Sequence, residues 1–112
     1  MKNYRLPKEI KKRMERELRQ YYDNKNKLEY LKIQFANEKI NTRTLLYLEE
    51  RLLYVENVYK RLKPFEKEIY DLIFREKCDV LYCETHKHIT KNTYYNILNK
   101  SILYLAEEWG EI

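Results

Sequence analysis

Apolar residues recur along most of this chain at steps of three and four, the period of a helix face. Ile10, Met14, Leu18, Tyr21 and Tyr22 fall on one side of a first helix, which Leu6-Pro7 opens because proline suits a first helical position. Leu28, Leu31 and Phe35 resume that stripe after the polar run Asp23-Asn24-Lys25-Asn26-Lys27. Met14, Tyr21, Leu28 and Phe35 keep a seven-residue spacing, which predicts one helix unbroken to Phe35. The Asn and Asp side chains of the run compete for backbone hydrogen bonds and predict a break instead. The pattern leaves both open. Residues 36–41 read as a linker.

Thr42 or Asn41 caps a second helix, in which Leu45, Leu48, Leu52, Val55, Tyr59 and Leu62 step by three and four, widened by Leu46 and Leu53. A helix over residues 43–62 is about 30 Å long at 1.5 Å per residue. Two such helices in succession predict a hairpin whose stripes form its own core. Leu46, Tyr47, Leu53 and Tyr54 lie beside the main seam and need cover of their own, which a second copy of the chain can supply. Core and dimer contact are compatible readings of the same surface.

Lys63-Pro64 is a joint, because proline cannot continue the preceding helix. Phe65, Ile69, Leu72 and Ile73 form the expected buried face of the next, short helix, flanked by Tyr70 and Phe74. A second short helix near residues 79–85 takes its apolar contacts from Val80, Leu81 and Cys83, and His86-Lys87-His88 forms a turn. Thr90 then caps a long last helix with Tyr94, Ile97, Leu98, Ser101, Ile102 and Leu105 inward, Trp109 continuing the stripe and Gly110 stopping it. The expected organisation is all-α: a basic helical hairpin over residues 1–63, then a helix-turn-helix unit over residues 64–112.

The outer face of the last helix carries Lys91, Asn92, Tyr95, Asn96, Asn99 and Lys100, and no Asp or Glu occurs between Thr85 and Ala106. Short amides and cations without acids suit a helix, here residues 90–106, lying in a DNA major groove. Asn pairs bidentately with adenine, and Lys reaches guanine acceptors or phosphates.

Charge complicates this picture. The net charge is +5, yet residues 1–63 hold 17 Lys+Arg against 9 Asp+Glu, while residues 64–112 hold 6 against 9. The reading half is thus acidic, with Glu66, Glu68, Asp71 and Glu76 on its first helix and Glu107, Glu108 and Glu111 in the tail. Phosphate neutralisation supplies most nonspecific affinity, so this half alone is a poor nonspecific binder. Lys8, Lys11, Lys12, Arg13, Arg16 and Arg19 either supply phosphate contacts or form a solvated face.

Composition excludes several classes. With one Gly, at position 110, there is no phosphate-binding loop, and no nucleophile triad or carboxylate pair stands out, so no enzyme and no cofactor is expected. Cys78, Cys83, His86 and His88 are spaced Cys-x4-Cys-x2-His-x-His, which fits no common zinc site; no metal is expected. No apolar run approaches the ~18 residues of a membrane span. The N-terminus is polar, without a signal-peptide pattern, and two cysteines suit a reducing compartment, so a cytoplasmic location is expected.

Leu62-Lys63-Pro64-Phe65-Glu66-Lys67-Glu68-Ile69-Tyr70, followed by His88-Ile89-Thr90-Lys91-Asn92-Thr93-Tyr94, resembles the helix-turn-helix of sigma factor region four. With basic paired helices in front and the ending Leu105-Ala106-Glu107-Glu108-Trp109-Gly110-Glu111, the chain is similar to the RinA/ArpU-type phage transcriptional regulators, small activators of late genes. The resemblance implies that Thr90 caps the recognition helix and that Thr93 and Tyr94 seat it on the preceding helix. It implies too a phage origin and recruitment of RNA polymerase through acidic surface. Binding of double-stranded DNA is expected from the residues of the last helix, and a homodimer from the apolar surface of the hairpin. The turn departs from the pattern in having His88 instead of the frequent Gly, Glu84 instead of a small apolar residue, and Lys87 instead of an apolar one. Two other readings stay open: a small-terminase-like packaging protein, which would form rings, and a helical protein-interaction module without DNA binding.

Overall fold

The computed structural model describes residues 6–34 and 42–112. All regular structure there is helical: α1 (Lys8–Gln34), α2 (Thr42–Arg61), α3 (Pro64–Tyr70), α4 (Val80–His86) and α5 (Lys91–Trp109). α3 runs on through a wider, π-type turn, Asp71–Arg75, closed by the Glu76 N–H on the Asp71 carbonyl at 2.9 Å. The first bond of α1 is donated by the Lys11 N–H to the Pro7 carbonyl.

The polar run in α1 does not break it. Tyr21 and Leu28 are both buried, one on each side of residues 23–27, so packing outweighs the local competition of Asn and Asp for the backbone. Phe35, the linker 36–41 and the Asn41 cap lie outside the described residues.

α5 is the centre of the molecule, since it packs against α1, α2, α3 and α4. One apolar core unites Met14 and Leu18 of α1, Val55, Val58 and Leu62 of α2, Ile73 and Phe74, Cys83 of α4, and Ile102 and Leu105 of α5. Lys63-Pro64 is therefore a bend between helices with the core running across it.

Three stripes sit differently from their sequence expectation. Val58 is fully buried, whereas Leu46 and Leu53 are 63% and 48% exposed. The cause is that α2 faces α5 as well as α1, which turns its buried face toward the Val58 side. In α3 the buried row is Glu66, Ile69, Tyr70, Ile73 and Phe74, leaving Phe65 exposed, because Glu66 takes the inner place one turn before Tyr70. In α4 only Cys83 is fully enclosed; Val80 is half-buried and Leu81 exposed. Seven residues make two turns, which present little surface to a single neighbour.

Candidate nucleic-acid interface

The local chemistry that aims α5 starts in α4. Asp79 caps that helix, its Oδ1 accepting the Tyr82 N–H at 2.8 Å. At the far end the Cys83 carbonyl accepts both the Lys87 and Ile89 N–H groups at 3.1 Å. The chain then reverses at His88, whose φ of 56° lies in the left-handed region and costs a non-glycine residue about 1 kcal/mol. Lys77 has φ 55° on the way into α4, so the segment is bracketed by two such positions. Thr90 caps α5, with its Oγ1 accepting the Thr93 N–H at 3.2 Å. No acid occupies the first turn of α5, so the positive end of its dipole is uncompensated there.

Tyr94 fastens this end to the body. It is buried, and its hydroxyl donates to the Cys78 carbonyl at 3.3 Å. Burial pushes the Tyr94 phenol above its usual pKa, and the nearby Arg19 guanidinium of α1 opposes that. Arg19 also lies over the Phe74 ring at 5.7 Å, which places this cation where α1 meets the start of α5.

With Tyr94, Ile97, Leu98, Ser101 and Ile102 committed to the core, the reverse face of α5 is fixed. Lys91, Asn92, Tyr95, Asn96 and Asn99 are brought together on the exposed face. From Asn92 to Asn99 the row spans roughly 10 Å, about three base-pair steps. Tyr95 stands edge-on to Tyr94 with ring centroids 5.3 Å apart, which limits its freedom.

Lys100 is not brought together with that row. Its Nζ is held at 2.7 Å by Oε2 of Glu66, a carboxylate only 4% exposed, and it lies 5.6 Å from the Tyr104 ring centroid. Oε1 of Glu66 accepts the Lys63 N–H at 2.8 Å, so the same side chain caps α3 and straps it to α5. Burial pushes the Glu66 carboxyl up, but the bonds from Lys100 and Lys63 outweigh it and hold the group below its ordinary pKa. Glu66 in turn raises the Lys100 ammonium. Beyond Asn99 the outer face closes further, because the Arg61 guanidinium of α2 sits 3.9 Å over the Tyr104 ring and pairs with Glu107 at 2.6 Å. The open stretch of the expected reading helix 90–106 is its first half.

Ion pairing also redistributes the charge asymmetry between the two halves of the chain. Glu107 and Glu108 share Arg61, and Glu111 pairs with Arg13, so two cations of α1 and α2 offset most of the charge of the three tail acids. Lys8, Lys11, Lys12 and Arg16 are exposed and form no ion pair among the described residues. Lys12, Arg16 and Arg19 follow one another at helical spacing and lead to Tyr94. Whether these cations meet phosphates or are only solvated stays as open as in the sequence; the structure adds that Arg19 lies beside buried Tyr94.

Cys83 is enclosed in the core, while His86 stacks on exposed Tyr82 at 4.5 Å and His88 is exposed. Among the described residues no three His, Cys, Asp or Glu side chains gather as metal ligands would, and no helix is long and apolar enough to cross a membrane. Comparison with protein-family models, with curated proteins and with solved structures finds no match for this chain.

Proposed function

We propose that the chain is a sequence-specific DNA-binding transcriptional regulator of the phage late-gene activator type. In this reading α3, α4 and α5 form a helix-turn-helix of the sigma region-four kind, and the first half of α5 enters the major groove. One observation carries it: an exposed, acid-free row of Asn92, Tyr95, Asn96 and Asn99, with Lys91 at its head, on a helix whose other face is core. Lys12, Arg16 and Arg19 on α1 supply flanking phosphate contacts. The phage assignment and the polymerase partner rest on the resemblance of residues 62–70 and 88–94 alone. With the tail acids paired, a polymerase contact falls to exposed Glu68, Glu76 and Glu84. A homodimer through exposed Leu46, Tyr47 and Leu53 of α2 would give two reading helices.

Light scattering coupled to size exclusion, with and without a random duplex, at low salt and at about 200 mM, tests this. The expected result is a dimer that binds the duplex at low salt and releases it at high salt. A closed ring would replace the proposal with a packaging protein. A species that ignores DNA at every salt would leave a protein-interaction module.

A further inference from the structure

A cavity of about 340 Å³ lies between α1, α2 and the start of the π-type turn, away from the exposed row of α5. Its size is at the lower end for ligand pockets, so it suits a small molecule. Buried Tyr21, Val55 and Tyr70 form its floor, and half-buried Tyr22 and Tyr59 add two more phenol rings. Four charged side chains complete the lining: half-buried Glu56 and Asp71, and exposed Lys60 and Arg75.

None of these four forms an ion pair among the described residues, although two are acids and two are bases around one cavity. Each carboxylate is instead oriented by a tyrosine. The Tyr21 hydroxyl donates to Glu56 Oε1 at 2.7 Å, and the Tyr59 hydroxyl donates to Asp71 Oδ2 at 3.2 Å. The second oxygen of each has no hydrogen-bond partner among the described residues.

We propose that this cavity binds a small zwitterion of the amino-acid or betaine class, its ammonium group inward and its carboxylate at the mouth. The inner end offers two oriented carboxylates among aromatic rings, the combination that stabilises an organic cation by charge and by the ring quadrupoles. A simple anion pairs only with the outer Lys60 and Arg75 and is repelled by the carboxylates further in. A simple cation must pass Lys60 and Arg75, whose charges favour a ligand with an anionic outer end. The lining is formally neutral, with its carboxylates more buried than its cations, and a dipolar ligand matches both. This site is independent of whether α5 reads DNA.

The test is an NMR titration of the full chain with L-phenylalanine and glycine betaine, against tetramethylammonium and 3-phenylpropanoate as half-ligands. Saturable shifts at Tyr21, Tyr22, Tyr59 and Tyr70 are expected with at least one zwitterion, with both half-ligands weaker by about tenfold or more. Glu56→Gln still accepts from Tyr21, so the fold is kept while zwitterion affinity falls about tenfold, the order of one charge-assisted contact. Arg75→Gln, on the exposed rim, should weaken the zwitterion and strengthen tetramethylammonium. No shift from either zwitterion up to about 10 mM would overturn the proposal. So would half-ligands that bind as well as the zwitterion, or a Glu56→Gln variant with unchanged affinity and unchanged Tm.

Discussion

Glu66, in the first turn of α3, and Lys100, midway along α5, are 34 positions apart in sequence and 2.7 Å apart in the fold. Because Glu66 also accepts the Lys63 N–H, it fixes the start of α3 and its attachment to α5 together. Glu66→Ala removes both bonds and leaves a partly desolvated ammonium, so urea unfolding should show a loss of about 2 kcal/mol. Glu66→Gln keeps an acceptor for the N–H and should lose about 1 kcal/mol. A Glu66→Gln variant as stable as the wild-type chain would show that charge contributes nothing to the strap.

The same pair sets a pH window. The Glu66 carboxyl is held below its ordinary value, so its stabilisation is complete above the unfolded-state pKa of about 4.3 and is lost as pH falls through the folded value. Lys100 is raised, chiefly by Glu66, so its stabilisation is complete below the unfolded value of about 10.4 and is lost as pH rises through the folded one. The stability difference between the wild-type chain and Glu66→Gln should be flat from about pH 5 to 9 and shrink below about pH 4. A difference that stays constant down to pH 3 would remove the charge argument.

Tyr94 separates positioning from reading. Tyr94→Phe keeps the ring in the core and deletes the bond to the Cys78 carbonyl, for an expected cost of about 1 kcal/mol. Tyr94→Ala leaves a cavity and should cost roughly 3–5 kcal/mol. Neither should alter relative preference among DNA sequences under conditions where the chain stays folded; a changed preference would put Tyr94 in contact with bases.

The apolar spacing of α5 was fully legible: Tyr94, Ile97, Leu98, Ser101, Ile102 and Leu105 are all buried, Thr90 caps the helix, and Gly110 ends it at φ 81°. A long helix with strict period-3.6 spacing leaves one choice of face. The short helices were harder. Phe65 looked like core and is 56% exposed, because one polar side chain, Glu66, takes the inner position to meet Lys100. Hydrophobic periodicity carries no signal for an ion pair between segments distant in sequence. Lys100 was read as groove-facing for the same reason: its helical angle is near that of Asn96, but its long stem bends back to Glu66. Val58 shows the limit on α2, where a third helix, α5, supplies the cover that a hairpin alone lacks.

The cations of α1 give a prediction about salt. Lys12 and Arg16 are exposed and unpaired among the described residues, so Lys12→Gln and Arg16→Gln should leave unfolding unchanged. If they neutralise phosphates, each should lower the slope of log affinity against log salt by about 1, equally on every duplex. An unchanged slope would make this face merely solvated.

Asn96 and Asn99 are the residues on which sequence discrimination should turn. Both are exposed, neither caps or straps anything among the described residues, and their removal leaves the core intact. On a duplex selected for binding, Asn96→Ala or Asn99→Ala should cost roughly 1–3 kcal/mol, with little change on random duplex, if the side chain reads a base. Lys100→Gln is the matched control, since it weakens the strap to Glu66 and should lower stability without shifting preference between the two duplexes. Equal loss on selected and random DNA from the Asn variants would confine them to backbone contact. A selective loss from Lys100→Gln would mean that its ammonium leaves Glu66 when DNA binds.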